Sequence, residues 1–157
     1  MEVSCSGQAD VEKLAARLAD HLGAGDLVAL TGDLGAGKTT FARAFIRACL
    51  GDQMAEVPSP TFTLVQTYDT DDCSIYHTDL YRIKEPDEVY DLGLDDDRSG
   101  ALLLVEWPDR MPEDWWQDAL EISLKRPAGA ATGEDEARIV SIKGGSDWQS
   151  RLTGMKL

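Results

Sequence analysis

Hydrophobic positions along the chain repeat with a helical period in some segments and with a strand period in others. Apolar side chains spaced three and four residues apart predict helices over residues 8–22 and 40–50. A proline followed by acidic residues predicts a short helix over 86–92, and a final helix is predicted over 146–152. Alternating or continuous apolar runs predict strands over residues 2–6, 26–31, 61–68, 74–80, 102–106, 119–125 and 137–143.

The order of these elements predicts a single α/β domain over residues 1–157, with a mixed, mostly parallel central sheet flanked by helices. The run 102–106 is apolar and ends in Glu106, as expected for a central strand covered on both faces. The chain has 157 residues, which is the size of one domain, so we expect no additional catalytic domain.

Residues 32–39 read Gly-Asp-Leu-Gly-Ala-Gly-Lys-Thr and match the phosphate-loop pattern G-x-x-x-x-G-K-[ST] at every fixed position. A predicted strand precedes them and a predicted helix follows, so backbone N–H groups and a helix N-terminus converge on one anion site. Lys38 can reach the β- and γ-phosphates, and the Thr39 hydroxyl is placed to hold Mg²⁺. The sequence therefore predicts a P-loop NTPase domain. The predicted nucleotide-binding residues are Gly35, Ala36, Gly37, Lys38, Thr39 and Thr40.

Hydrolysis also requires groups that hold the metal and orient the attacking water. Glu106 ends an apolar strand, where it can coordinate Mg²⁺, directly or through water, or polarise the attacking water. Asp79 ends a second strand and is a weaker candidate, and His77 on the same face is more typical of a structural residue. Thr61 is either a switch residue that senses the γ-phosphate or an ordinary residue at a strand start. Trp107 packs either over the site or against a partner.

Composition limits which nucleotide and which partners we expect the chain to bind, and in which cellular compartment. The chain contains no asparagine, which excludes the N-K-x-D motif of small GTPases and favours adenine over guanine. A formal net charge of −14 opposes strong direct binding to nucleic acid, although Arg17, Arg43 and Arg47 can form a local basic patch. The chain has no apolar run of membrane-spanning length, no signal peptide pattern and three widely spaced cysteines. These features predict a cytoplasmic protein with reduced thiols and no membrane partner.

An ordered series of motifs adds a resemblance to these predictions. The phosphate loop is followed by Pro-Ser-Pro-Thr-Phe at 58–62, His-Thr-Asp-Leu-Tyr-Arg at 77–82, Gly-Leu at 93–94 and Val-Glu-Trp-Pro at 105–108. Together they resemble the TsaE (YjeE-type) family, the bacterial ATPases of tRNA threonylcarbamoyladenosine synthesis, over about residues 6–126. The phosphate loop is generic, whereas the other motifs in this order are specific.

The resemblance implies an ATPase that binds ATP and holds Mg²⁺ on Thr39 and Glu106, with Asp79 and Trp107 also needed for activity. It further implies docking on a heterodimer of two actin-like proteins, TsaB and TsaD. In that complex TsaD transfers the threonylcarbamoyl group to adenosine 37 of tRNA, so this chain would meet tRNA only indirectly. Val11 stands where the family commonly has a threonine near the nucleotide.

Two other functions are compatible with a phosphate loop. A small-molecule P-loop kinase needs an acceptor pocket and a mobile lid bearing arginine, and the long polar loop at 127–136 contains no arginine. The carboxylates of Glu106 and Asp79 favour hydrolysis over the other alternative, a nucleotide-dependent adaptor that does not hydrolyse. The sequence therefore favours a weak ATPase that a partner stimulates.

Overall fold

The computed structural model describes residues 1–96, 98–129 and 137–155. Within these ranges the chain forms one seven-stranded sheet with helices on both faces. The strands are β1 (Glu2–Cys5), β2 (Leu27–Thr31), β3 (Val65–Asp69), β4 (Ser74–Asp79), β5 (Ala101–Glu106), β6 (Leu120–Lys125) and β7 (Arg138–Lys143). The helices are α1 (Gln8–Ala19), α2 (Lys38–Leu50), α3 (Asp87–Tyr90) and α4 (Ser146–Leu152), with 3-10 helices at Pro108–Arg110 and Glu113–Gln117.

The sheet has the strand order β1-β7-β6-β2-β5-β4-β3. The four central strands β6, β2, β5 and β4 are parallel to one another, and the outer pairings are antiparallel. The prediction of a mixed sheet is confirmed. The prediction that it is mostly parallel holds in the centre and is wrong towards the edges, where β3 and β7 run against their neighbours. One cause is the short turn between β3 and β4, because a tight turn joins antiparallel strands.

Two hydrophobic clusters cover the two faces of the sheet. On one face α1 and α2 pack together through apolar side chains spaced three and four residues apart, including Leu14, Leu18, Phe41 and Phe45. On the other face α3 and the second 3-10 helix contribute to a smaller cluster around Trp115. No helix in residues 1–96, 98–129 or 137–155 is long and apolar enough to cross a membrane.

The strand predicted over 61–68 is wrong in its first half. Residues 61–64 form a turn, and β3 begins at Val65. Leu64 has a left-handed backbone with φ 66°, and its N–H donates to the carbonyl oxygen of Pro60 at 2.7 Å. The alternating pattern therefore extends beyond the strand, whose register with β4 begins at Val65, although the carbonyl oxygen of Leu64 still accepts from the backbone N–H of Asp79 at 3.2 Å. Helix α1 likewise ends at Ala19, before the predicted end at residue 22.

The carboxyl ends of the parallel strands lie at one edge of the sheet, where α/β proteins bind ligands. Asp79 at the end of β4 pairs in register with Glu106 at the end of β5. Leu30 in β2 pairs with Glu106 from the other side, two residues before the phosphate loop begins at Gly32. This register brings the two predicted carboxylates and the loop to the same place.

Candidate functional site

The phosphate loop connects β2 to α2 and lies against the end of β6. Gly32, Gly35 and Gly37 have φ angles of 141°, 76° and 107°, which side chains rarely tolerate. A Cβ added at Gly32 would lie 2.4 Å from the carbonyl oxygen of Leu124 in β6. Glycine at position 32 is therefore required both by the backbone angle and by the close approach of the neighbouring strand.

Lys38 at the start of α2 turns its ammonium into this loop. The side chain is only 5% exposed, and its Nζ donates to the carbonyl oxygens of Gly32 at 2.6 Å and Asp33 at 3.0 Å. The same Nζ lies 4.1 Å from the ring centroid of Trp107, within cation–π range. Burial lowers the pKa of Lys38, and the nearby carboxylates of Glu106 and Asp79 act in the opposite direction.

The Glu106 carboxylate is buried and is held at both of its oxygens. Oε2 accepts a hydrogen bond from the Thr39 hydroxyl at 2.8 Å, and Oε1 lies 2.7 Å from Nε2 of His77. Glu106 is 2% exposed and His77 is fully buried. The structure thus joins the first turn of α2 directly to the carboxylate at the end of β5.

Asp79 is held by a separate set of donors. Its Oδ2 accepts from the Thr61 hydroxyl at 3.2 Å, and its Oδ1 accepts from the backbone N–H of Tyr81 at 2.9 Å. The Thr61 hydroxyl also lies 2.7 Å from that of Ser59. Thr61, the candidate switch residue, therefore touches one of the two candidate carboxylates and belongs to the turn that precedes β3.

The oxygen atoms of Thr39 and Glu106 suit a hard cation that lies beside a bound anion. A hydroxyl and a carboxylate oxygen are ligands of the kind that Mg²⁺ takes, usually together with waters and substrate phosphates. Among the described residues no group of three or more His, Cys, Asp and Glu side chains is arranged to hold a metal. A cation at Thr39 and Glu106 would thus need further oxygen ligands from a bound molecule or from water.

Sequence reasoning missed two arginines that contact the loop. Nη2 of Arg126, just after β6, donates to the carbonyl oxygen of Gly35 at 3.1 Å. Nε of Arg138, at the start of β7, donates to the carbonyl oxygen of Ala36 at 2.9 Å. Both contacts depend on β6 lying next to β2, which no local pattern reveals. These arginines flank the loop predicted at 127–136, of which residues 130–136 lie outside the described residues.

A groove runs beside the phosphate loop on the side of α1. Val11 lies in this groove. Thr40 lines it from α2, and Arg138 lines it from β7. Its full lining is Gln8, Val11, Ala36, Gly37, Thr40, Leu124 and Arg138.

On the other side of the loop lies a set of aromatic residues, Phe62, Tyr81 and Trp107, which we call the aromatic rim. The rings of Tyr81 and Trp107 are 4.9 Å apart, and Phe62 and Tyr81 are 79% and 60% exposed. Trp107 has a left-handed backbone with φ 57° that turns the chain from β5 into the next 3-10 helix. Arg82 is exposed and lies over Phe62 at 4.4 Å from its ring centroid.

Comparison with known families settles the relationship of this chain. The family model described as "Threonylcarbamoyl adenosine biosynthesis protein TsaE" matches residues 5–134. The chain belongs to the TsaE family. The resemblance drawn from the ordered motifs is thereby confirmed, and the TsaE family takes part in tRNA threonylcarbamoyladenosine biosynthesis.

Individual TsaE relatives are similar over most of their length. The tRNA threonylcarbamoyladenosine biosynthesis protein TsaE of Rickettsia felis is 38% identical over 143 residues, covering 87% of this chain and 83% of its own. The protein of the same name from Streptomyces coelicolor is 39% identical over 142 residues, covering 88% and 93%. The crystal structure of Bacillus subtilis YdiB superposes with a TM-score of 0.70 at 28% identity, covering 99% of this chain and 93% of YdiB.

Proposed function

We propose that this TsaE-family protein is a Mg²⁺-dependent ATPase and an accessory subunit of the tRNA threonylcarbamoyladenosine machinery, docking on the TsaB–TsaD heterodimer. The observation that carries the proposal is the hydrogen bond from the Thr39 hydroxyl to the buried Glu106 carboxylate, directly after a phosphate loop. This contact brings together the two residues to which the family resemblance assigns magnesium.

The loop fits a polyphosphate. Positive φ angles at Gly32, Gly35 and Gly37 shape its backbone, and the Lys38 ammonium lies inside it on carbonyl oxygens that a phosphate can replace as partners. The start of the 13-residue helix α2 adds a partial positive charge at the same point. Lys38 would bind the β- and γ-phosphates, and the groove beside Val11 would receive the nucleoside.

The carboxylates of Glu106 and Asp79 would have different roles in hydrolysis. Thr39 and Glu106 would hold Mg²⁺, which when bound supplies stabilisation of negative charge on phosphate oxygens. Asp79 is tied to Thr61 and to the backbone of Tyr81, so its orientation depends on the segment that precedes β3. We therefore assign Asp79 to orienting the attacking water, under the control of Thr61 as a switch residue.

The aromatic rim supports the partner role. A group of exposed apolar side chains rimmed by polar residues is typical of an interaction surface, whereas a single exposed apolar side chain is not. Phe62 follows Thr61 in the chain, and Tyr81 contacts Trp107, which lies over the Lys38 ammonium. A heterodimer that covers the aromatic rim would therefore contact residues next to Lys38, Asp79 and Glu106 and would stimulate hydrolysis through them.

The test is steady-state release of phosphate from Mg²⁺–ATP by the purified chain, with and without TsaB and TsaD, together with repeated-turnover modification of tRNA. We expect weak hydrolysis alone, stimulation by the heterodimer and no tRNA modification by this chain alone. Trp107→Ala should lower the stimulated rate more than ATP affinity. If combining the proteins changes neither activity, the partner role is wrong while the ATP site stands.

A matched pair of variants tests the metal site in the same assay. Glu106→Gln keeps the size of the side chain and removes the charge, so we expect it to bind ATP and to lose hydrolysis. Asp79→Asn should lose hydrolysis less completely. Glu2→Gln changes an exposed glutamate in β1, at the far end of the sheet, and should hydrolyse ATP like the wild type. Wild-type hydrolysis by Glu106→Gln would exclude the metal role.

A further inference from the structure

We propose that His77 is a positioning residue for the metal site, fixing the Glu106 carboxylate so that its other oxygen faces Thr39. The inference rests on the proposed function, because it assumes that Glu106 and Thr39 hold a divalent cation beside a nucleotide. It adds a residue that sequence reasoning treated as more typical of a structural role. His77 would act through Glu106 and would touch neither metal nor nucleotide.

The backbone places His77 for this task. His77 lies in β4, two residues before Asp79, and its register partner in β5 is Leu104, two residues before Glu106. His77 and Glu106 are therefore diagonal neighbours on one face of two parallel strands. Their side chains meet at 2.7 Å between Nε2 and Oε1, and both are buried.

The direction of the hydrogen bond follows from the chemistry of the pair. The Thr39 hydroxyl already donates to Oε2, so the carboxylate acts as an acceptor there. A carboxylate that holds a metal is ionised and only accepts, so in the proposed site the proton of the contact sits on Nε2 of the imidazole. Both oxygens of Glu106 are then fixed by donors from two different elements, β4 and α2. This arrangement resembles the outer contacts that orient carboxylate ligands in metal sites.

The other ring nitrogen makes no hydrogen bond that the structure describes. Nδ1 of His77 is buried and has no hydrogen-bond partner among the residues that the structure describes. A buried polar atom without a partner costs stability, so Nδ1 does not favour a histidine at this position. What the imidazole contributes at this position is the Nε2 contact to Glu106.

The first experiment examines the contact without nucleotide, by nitrogen-15 NMR of the histidine side chains. The chain has two histidines, so His77→Gln assigns both sets of signals. We expect His77 to carry its proton on Nε2, in slow exchange with solvent, and Glu106→Gln to shift this signal. An imidazole protonated on Nδ1 alone would overturn the proposal.

The second experiment measures Mn²⁺ affinity in the presence of saturating ADP, from the electron paramagnetic resonance signal of free Mn²⁺. His77→Met removes the donor, and we expect a loss of affinity of about tenfold or more, the range found for outer contacts of metal ligands. His77→Gln has nearly the same size and restores an N–H donor, so it should recover most of this loss. Ile75→Val, a buried change two residues earlier on the same face, should leave Mn²⁺ affinity unchanged.

The outcomes separate this inference from the proposed function. If wild-type protein with ADP binds Mn²⁺ and His77→Met binds it equally well, the positioning role is wrong and the metal site stands. If the wild type with ADP binds no Mn²⁺, the metal site and the positioning role are both wrong. Urea unfolding gives the stability of each variant. It therefore shows whether Mn²⁺ affinity depends on the N–H donor at position 77 or only on the stability of the fold. An affinity loss shared by His77→Gln and His77→Met in proportion to their stability would also overturn the proposal.

Discussion

The ammonium of Lys38 is held by two carbonyl oxygens of its own loop and by the face of the Trp107 ring. These are neutral partners, and burial lowers the pKa of Lys38. A negatively charged ligand would be a better partner for a buried cation than carbonyl dipoles are, because charge-assisted hydrogen bonds are about twice as strong. The resting contacts of Lys38 therefore favour the arrival of an anion.

Lys38→Ala should weaken ATP binding by about thirtyfold or more, since truncating one partner of a buried charge pair costs about 2–5 kcal/mol. Titration calorimetry with ATP measures the loss. Lys143→Ala is the control, because Lys143 is exposed and lies at the end of β7 that is remote from Arg138. Equal ATP affinity for Lys38→Ala and Lys143→Ala would remove Lys38 from the binding site.

Single residues of the site were predictable where a motif or a strand end fixed them. Lys38 and Thr39 follow from the phosphate-loop pattern, and Glu106 follows from its place after an apolar run. The contacts of His77 were not predictable, because the diagonal relation between β4 and β5 depends on register. The spacing of His77 and Asp79 shows that they share one face of β4. It does not show which residues of β5 lie next to them on that face.

At the scale of elements, the phosphate loop depends on β6 as much as on its own glycines. Gly32 approaches the backbone of Leu124, and Arg126 and Arg138 donate to the next part of the loop. The sequence predicts the strand, the loop and the helix because each has a local pattern. It does not predict that β6 and β7 support the loop, since strand order arises from packing across the whole sheet.

Gly32→Ala should lower the free energy of unfolding by about 2–4 kcal/mol, combining the backbone cost of a positive φ with overpacking. It should also weaken ATP binding, because the loop must move away from β6. Gly23→Ala is the matched control, since a Cβ there would meet nothing within 4 Å and no positive φ is involved. Urea unfolding and calorimetry report the two effects. If the Gly32→Ala and Gly23→Ala variants are equally stable, the close approach of Gly32 to the backbone of Leu124 is contradicted.

At the scale of the whole molecule, charge governs which partners can bind directly. The net charge of −14 repels a polyanion, whereas Arg43 and Arg47 belong to the basic patch considered from sequence. Their Nε groups donate to the carbonyl oxygens of Val57 and Ala55, so these side chains also hold the segment that leads to Thr61. The basic residues thus have an internal structural task.

We therefore expect the isolated chain to bind tRNA no more tightly than a Kd of about 100 µM at about 0.15 M salt, the weak end of non-specific binding. Fluorescence anisotropy of labelled tRNA measures this affinity. Adding TsaB and TsaD is the comparison, and retention of tRNA should appear only with them. Low-micromolar binding by the chain alone, weakening steeply with salt, would show that a basic patch overcomes the net charge.

The cation–π contact between Lys38 and Trp107 also makes the site observable by fluorescence. The chain has four tryptophans, and the other three belong to or pack against the two hydrophobic clusters. Trp107 is half-buried and has a cation 4.1 Å from its ring centroid. Indole emission is sensitive to a charge at that range, so displacement of the ammonium would change the intrinsic fluorescence of the unlabelled protein. The molecule carries its own optical probe, placed where a ligand would enter.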